Sequence, residues 1–203
     1  MKLLPPNGHA ALILAAFETW PAAQCLNNFL MLLNIMQAPR PYKFATAFDQ
    51  PNVHRGLTLG QNLQLEVGHR AAYGDLREII PATLRPLLDL IPDLKQPVTA
   101  ASPEIIHLLA IIAAFWRPGD YIFLERPQFN LPAQALPLLI EFLARREFHQ
   151  VVLIHGPRSL WEQHCDYCFW PEDGRIQFAS KTEHPDPLGR LEFANLPKTD
   201  FEI

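Results

Sequence analysis

The sequence predicts an α/β fold in three layers, with a mostly parallel sheet between helices and a helical insertion. Three observations carry this. Tyr121-Ile122-Phe123-Leu124 and Val151-Val152-Leu153-Ile154 are short unbroken apolar runs, the pattern of strands covered on both faces of a parallel sheet. Ahead of the first run, Ile105, Ile106, Leu108, Leu109, Ile111, Ile112 and Phe115 give a helix that is apolar on almost every face, which suits a core position. Between the two runs, Leu136, Leu138, Leu139, Ile140, Phe142 and Leu143 make Pro132 to Phe148 a helix, so the runs are expected to be adjacent strands joined by a right-handed crossover. Arg117-Pro118-Gly119-Asp120 breaks the chain before the first strand, and Glu125-Arg126 follow it. Ligands of open α/β sheets bind at the carboxyl ends of strands, so any chemistry is expected there.

The remaining elements follow in chain order. Pro5-Pro6-Asn7-Gly8 reads as a turn. Ala10 to Phe17 and Ala22 to Gln37 read as two helices separated by Pro21, with Ala38-Pro39-Arg40-Pro41 stopping the second. Tyr42 to Phe48 alternates as a strand. From Ala72 to Leu94, Leu76, Ile79, Ile80, Leu84, Leu87, Leu88 and Leu90 mark amphipathic helices broken at Pro81, Pro86 and Pro92, so a helical subdomain is expected over about 61–101. Ser102-Pro103-Glu104 is a helix start, with serine as N-cap, proline in the first turn and glutamate near the positive end of the dipole. The second buried strand ends in His155-Gly156-Pro157. Asp173-Gly174 reads as a tight hairpin turn between two last strands, and a polar tail runs from about 180 to 203.

Composition limits the classes of function. A chain of 203 residues, 49% hydrophobic, forms one substantial core, and a single domain over 1–203 is expected. A net charge of -4, without a local Lys/Arg run, gives no drive toward nucleic acid. Three cysteines, Cys25, Cys165 and Cys168, form no disulfide framework and favour a reducing compartment, so the cytoplasm is expected. The Cys165-x-x-Cys168 spacing lacks the second cysteine pair of a zinc site and enters a strand instead of opening a helix, which argues against metal or redox chemistry. Ser159, His155 and Asp166 include a hydrolase's residue types without its Gly-x-Ser-x-Gly elbow. No cofactor is expected.

The segment from Ser102 to Pro132 resembles the signature-to-Walker-B region of an ATP-binding-cassette (ABC) ATPase domain. Placing Glu125-Arg126-Pro127 on the family's Asp-Glu-Pro brings Ser102 onto the signature serine and Asn130-Leu131-Pro132 onto its Gly-Leu-Asp loop without a gap. In the same frame Pro5-Pro6-Asn7-Gly8 is similar to a worn phosphate loop, with Ala10 and Ala11 on the Gly and Lys positions and Leu12 and Ile13 on the Ser/Thr pair. Gln50, 39 residues after Ala11, matches the Q-loop glutamine, and Leu57-Thr58 with Asn62-Leu63 matches the opening of the helical subdomain. His155 lies near the switch histidine, one position out of register with Cys165-Asp166.

The resemblance implies a P-loop NTPase-like fold whose N-terminal antiparallel subdomain is largely missing, and a nucleotide site that has lost its chemistry. Its degenerate positions are Asn7, Gly8, Ala11, Gln50, Ser102, Glu125, Arg126 and His155. A working site needs a lysine on the phosphates and a general base, and Ala11 and Arg126 supply neither. The expected function is thus that of a pseudo-ATPase: a non-catalytic scaffold or regulatory subunit acting through protein contacts. A nucleotide-binding transporter subunit working with an intact partner ATPase, and a RecA-like regulator or inhibitor, are the alternatives. The implied partner is an ATPase subunit or a membrane-associated complex, in a homodimer or heterodimer, with the chain peripheral to the inner membrane through that partner. Leu57, Phe129, Leu131, Trp161, Phe169 and Trp170 are the expected contact residues, because they lie in segments that family members use for dimerisation and docking.

Overall fold

The computed structural model describes residues 11–17, 21, 23–27, 43–68, 75–172 and 175–180. Their strands are β1 (Ala11–Ala15), β2 (Phe44–Ala47), β3 (Tyr121–Glu125), β4 (Val151–His155), β5 (Tyr167–Glu172) and β6 (Arg175–Ser180). They form a six-stranded sheet in the order β2-β3-β4-β1-β5-β6. The first five run parallel, and only β6 pairs antiparallel, closing the hairpin expected around 173–174. The expected neighbours β3 and β4 pair in parallel from Tyr121↔Val151 to Glu125↔His155.

One expected helix is a strand. Ala10 to Phe17 reads as helical from sequence, yet Ala11–Ala15 is β1, wholly buried between β4 and β5. A five-residue apolar run carries no periodicity that separates the two states, and here pairing on both sides decides. Leu12 and Leu14 face one core, while Ala11, Ile13 and Ala15 face the other. Of the second expected helix, residues 23–27 are helical and put Cys25 and Leu26 on the face shared with Ile13, Phe123 and Leu153. Helices therefore lie on both sides of the sheet.

The opposite face is the larger core. It receives α1 (Leu59–Val67), α2 (Leu76–Ile79), α3 (Arg85–Leu88), α4 (Pro103–Trp116) and α5 (Ala135–Arg145). Thr58 and Gln61 start α1 with a reciprocal cap: Thr58 Oγ1 accepts from the Gln61 N–H and Gln61 Oε1 from the Thr58 N–H. Leu76, Ile80, Leu84, Leu87, Leu88 and Ile91 are buried, which makes the helical insertion part of the core. α4 buries His107 through Leu109 and Ile111 through Phe115, as its all-round apolarity requires. α5 is shorter than Pro132 to Phe148 and stops where Arg146 turns left-handed, φ 54°, with its guanidinium on the Leu143 carbonyl. α6 (Arg158–Trp161) follows β4 and brings Trp161 into the same core.

Candidate functional site

The parallel pairing fixes what meets at the carboxyl end of the sheet. Glu125 closes β3 directly beside His155, the last residue of β4, and Asp49 lies two residues beyond β2. Glu125 Oε2 accepts the Asp49 N–H at 3.2 Å, so the two carboxylates are held close together. Arg126 comes next in the chain, and its guanidinium pairs with Asp49 through Nη2 and lies 3.6 Å from Glu125 Oε1. Its backbone is left-handed, φ 41°, a conformation that costs a non-glycine residue and persists only where surroundings enforce it. Here the Arg126 N–H donates to the His155 carbonyl at 2.7 Å, and the Arg126 carbonyl accepts from Phe129 N–H at 2.9 Å. The strand exit is thus a tight turn over 126–129.

Buried polar groups surround it. His155 is 2% exposed, with Nε2 on the Phe17 carbonyl at 3.0 Å and its ring stacked near Phe123. His107, wholly buried on α4, meets the Phe129 carbonyl through Nδ1 at 2.9 Å, and burial holds its pKa below the ordinary value. Gln128 Oε1 accepts from the Trp161 indole N–H at 3.1 Å. Gly156 makes that contact possible, since a Cβ there would fall 2.9 Å from the indole. Burial raises the Glu125 pKa, the nearby Asp49 charge adds to this, and the Asp49 N–H, Arg126 and His155 oppose it. Burial, then the Glu125 charge, pushes the Cys25 thiol up to about 12, so it is held protonated and is no nucleophile. His155 Nδ1, Arg126 Nε and Gln128 Nε2 have no hydrogen-bond partner among the described residues.

The expected site residues divide. Glu125, Arg126 and His155 come together, and Gln50 is exposed immediately after Asp49. Ser102 does occupy the N-cap of α4 but makes no side-chain cap; it hydrogen-bonds the Glu104 carboxylate and holds that pKa low. Ala11 does not join them. It pairs with Val151 at the amino end of β1, four residues and so ~13 Å from the strand exit at Ala15. The loop after β1 therefore starts at Ala16, not before Ala10, and the segment from Ala11 to Pro39 contains no Lys or Arg. Asn7 and Gly8 lie outside the described residues, as does the tail from 181.

Among the expected contact residues, Trp161 and Phe169 are corrections. Trp161 is 0% exposed and Phe169 is 8%, because α6 turns inward against the Gly156 gap and β5 is covered on that face. Trp170 is half-buried with the Arg158 guanidinium stacked on its ring at 3.7 Å. Leu57 and Leu131 are half-buried, and Phe129 is 53% exposed at the tip of the 126–129 turn. A groove of about 230 Å³ opens beside the site, between the loop at Pro51, Asn52 and Val53, α1 at Asn62 and Glu66, and α4 at Ile106 and Ala110. Asp49, His107, Gln128 and Cys25 were not singled out from the sequence. Asp49 alone had a readable signal, as a carboxylate at the exit of an expected strand.

No protein-family model and no curated protein matches the chain. Solved structures do. An ATP-binding subunit of an ABC transporter superposes with a TM-score of 0.62 at 17% identity, over 86% of this chain and 79% of that one. CbiO1 from Clostridium perfringens, part of the ABC transporter complex cbiONQ, gives 0.57 at 15% identity over 85% and 77%. The ATP-binding cassette MJ0796, a dimer in a post-hydrolysis state bound to ADP and Pi, gives 0.57 at 13% identity over 86% of each chain. Among the described residues no helix is long and apolar enough to cross a membrane. The chain has the P-loop NTPase-like fold of ABC-transporter ATP-binding subunits.

Proposed function

We propose that this protein is a non-catalytic member of that fold, a scaffold or regulatory subunit that works by binding another protein. The observation that carries the reading is Arg126: a guanidinium, which has no lone pair to take a proton, stands at the β3 exit and is already paired with Asp49 and near Glu125. The nucleotide and divalent cation implied by the fold do not fit the residues present. Phosphates need a cation and free N–H groups at the loop after the first strand, and from Ala11 to Pro39 the chain offers neither lysine nor arginine.

The contact surface follows from exposure. Phe129 is an exposed aromatic side chain on a turn that is pinned at Arg126 by the His155 carbonyl and at its own carbonyl by His107. Rigid exposed aromatics are frequent anchors in interfaces. The groove lined by Phe48, Val53, Leu63 and Ile106 is a second surface, and its rim at Asn52, Val53 and Asn62 lies on the segment that carries Leu57. A homodimer, an ATPase subunit and a membrane-associated complex are the partner classes. The alternative, a nucleotide-binding subunit that completes a composite site with an intact ATPase, rests on the extent of the fold likeness.

Incubation with magnesium and ATP is expected to release no phosphate above a heat-treated control. Capture from native cells is expected to return a partner that Phe129→Asp loses. Phosphate release proportional to protein would replace this reading by the alternative.

A further inference from the structure

Asp49 and Glu125 pose an electrostatic problem that the site must solve. Their side chains are only 16% and 11% exposed, and the Asp49 N–H on Glu125 Oε2 keeps them together, so the Asp49 charge adds to the cost of ionising Glu125. Two poorly hydrated carboxylates at close quarters require a counter-charge: a proton, a metal ion or an organic cation. Neighbouring parallel strands deliver both acids to the same end of the sheet, Glu125 as the last residue of β3 and Asp49 two residues beyond β2.

We propose that the Arg126 guanidinium is the site's built-in cation, occupying the place between Asp49 and Glu125 that a divalent metal ion would take and closing the intact chain to metal. The proposal rests on the reading of this site as non-catalytic and names the device that makes it so. The backbone is consistent with that role, because the left-handed turn at Arg126, anchored on the His155 carbonyl, brings the guanidinium back over the strand end to Asp49 and Glu125. The head group is placed tightly enough that its Nε is buried without a partner among the described residues. Phe129 lies under it, 6.0 Å from ring centre to guanidinium carbon. Carboxylate oxygens are the ligands that manganese and magnesium prefer, so emptying the guanidinium position leaves a cation site made of oxygen.

The test uses manganese alone, followed by electron paramagnetic resonance of the free ion and by thermal melts, on the full chain without nucleotide. Wild type and Arg126→Lys, which keeps a cation, are expected to bind no manganese at millimolar concentration. Arg126→Gln is expected to bind at least about tenfold more tightly than wild type, with a manganese-dependent rise in Tm that Asp49→Asn removes. If Arg126→Gln folds only when manganese is added, the proposal is supported. It is overturned if wild type binds manganese as tightly as Arg126→Gln, if folded Arg126→Gln binds none, or if that variant fails to fold at every manganese concentration. Nucleotide binding by wild type would instead count against the non-catalytic reading, so the two failures are distinguishable.

Discussion

The two ends of the sheet each carry an arginine paired with an aspartate, and they differ in how completely the surrounding groups are satisfied. At the amino end, Asp166 accepts the Leu12 N–H at 2.7 Å and pairs with Arg146 at 3.0 Å, while its own N–H donates to the Leu12 carbonyl. Arg146 also reaches the Leu143 and His164 carbonyls, so one side chain ties α5, the 164–166 turn and, through Asp166, β1. At the carboxyl end, Arg126, His155 and Gln128 each keep a buried polar atom unmatched among the described residues, around a left-handed arginine. Buried polar groups in native proteins are nearly always paired, so several exceptions gathered around one strand exit mark a site shaped for something besides stability, while Arg158 Nε and Trp170 Nε1 are further exceptions outside it. The first pair is a staple, and the second fills a site.

The largest effect expected from this contrast is at the staple. Asp166→Ala removes the partner of both Leu12 N–H and Arg146, and unfolding in urea is expected to show a loss of about 2–3 kcal/mol, since a buried donor left unmatched costs that much. Gly156→Ala comes next: its Cβ would meet the Trp161 indole and Gln128, and overpacking of this kind costs about 1–3 kcal/mol, measurable in the same titration together with a shift of tryptophan fluorescence. Phe129→Asp is expected to change stability by no more than about 0.5 kcal/mol, as for an exposed residue, while abolishing partner capture. A destabilised melt for this variant would show that Phe129 serves the core.

The smallest effect is a pH dependence. Because the folded Glu125 pKa is raised, the folded state binds its proton more tightly than the unfolded chain does. That contribution to stability is fully present below the unfolded value, about 4.3, and is lost as pH rises through the folded value. Glu125→Gln is expected to flatten this part of the stability–pH curve. An unchanged curve would mean that Glu125 is hydrated and contributes none of it.

The parallel pair β3 and β4 and the apolar α4 were legible in the sequence because unbroken apolar runs of strand length and an all-round apolar helix each have one economical placement. The β1 run was not, since Ala-Leu-Ile-Leu-Ala fits a helix or a strand until β4 and β5 are brought beside it. That one change of state puts Ala11 at the amino end of β1, away from the strand exits. Glu125, Arg126 and His155 could be placed at strand exits because those exits follow from where the apolar runs end. His107 and Cys25 were missed because their roles depend on which loop covers them, which local pattern does not encode. Trp161 and Phe169 were misplaced for a related reason: an aromatic near a strand exit reads the same whether it turns outward or, as Trp161 does, into the space left by a glycine.

A strand-exit site filled by its own arginine is expected to take no nucleotide. Titration calorimetry of the full chain with magnesium and ATP tests it most directly. No binding heat is expected at protein and ligand concentrations that would reveal a dissociation constant of about 100 µM, near -5.5 kcal/mol. A saturable isotherm tighter than that, with one nucleotide per chain or per dimer, would contradict it.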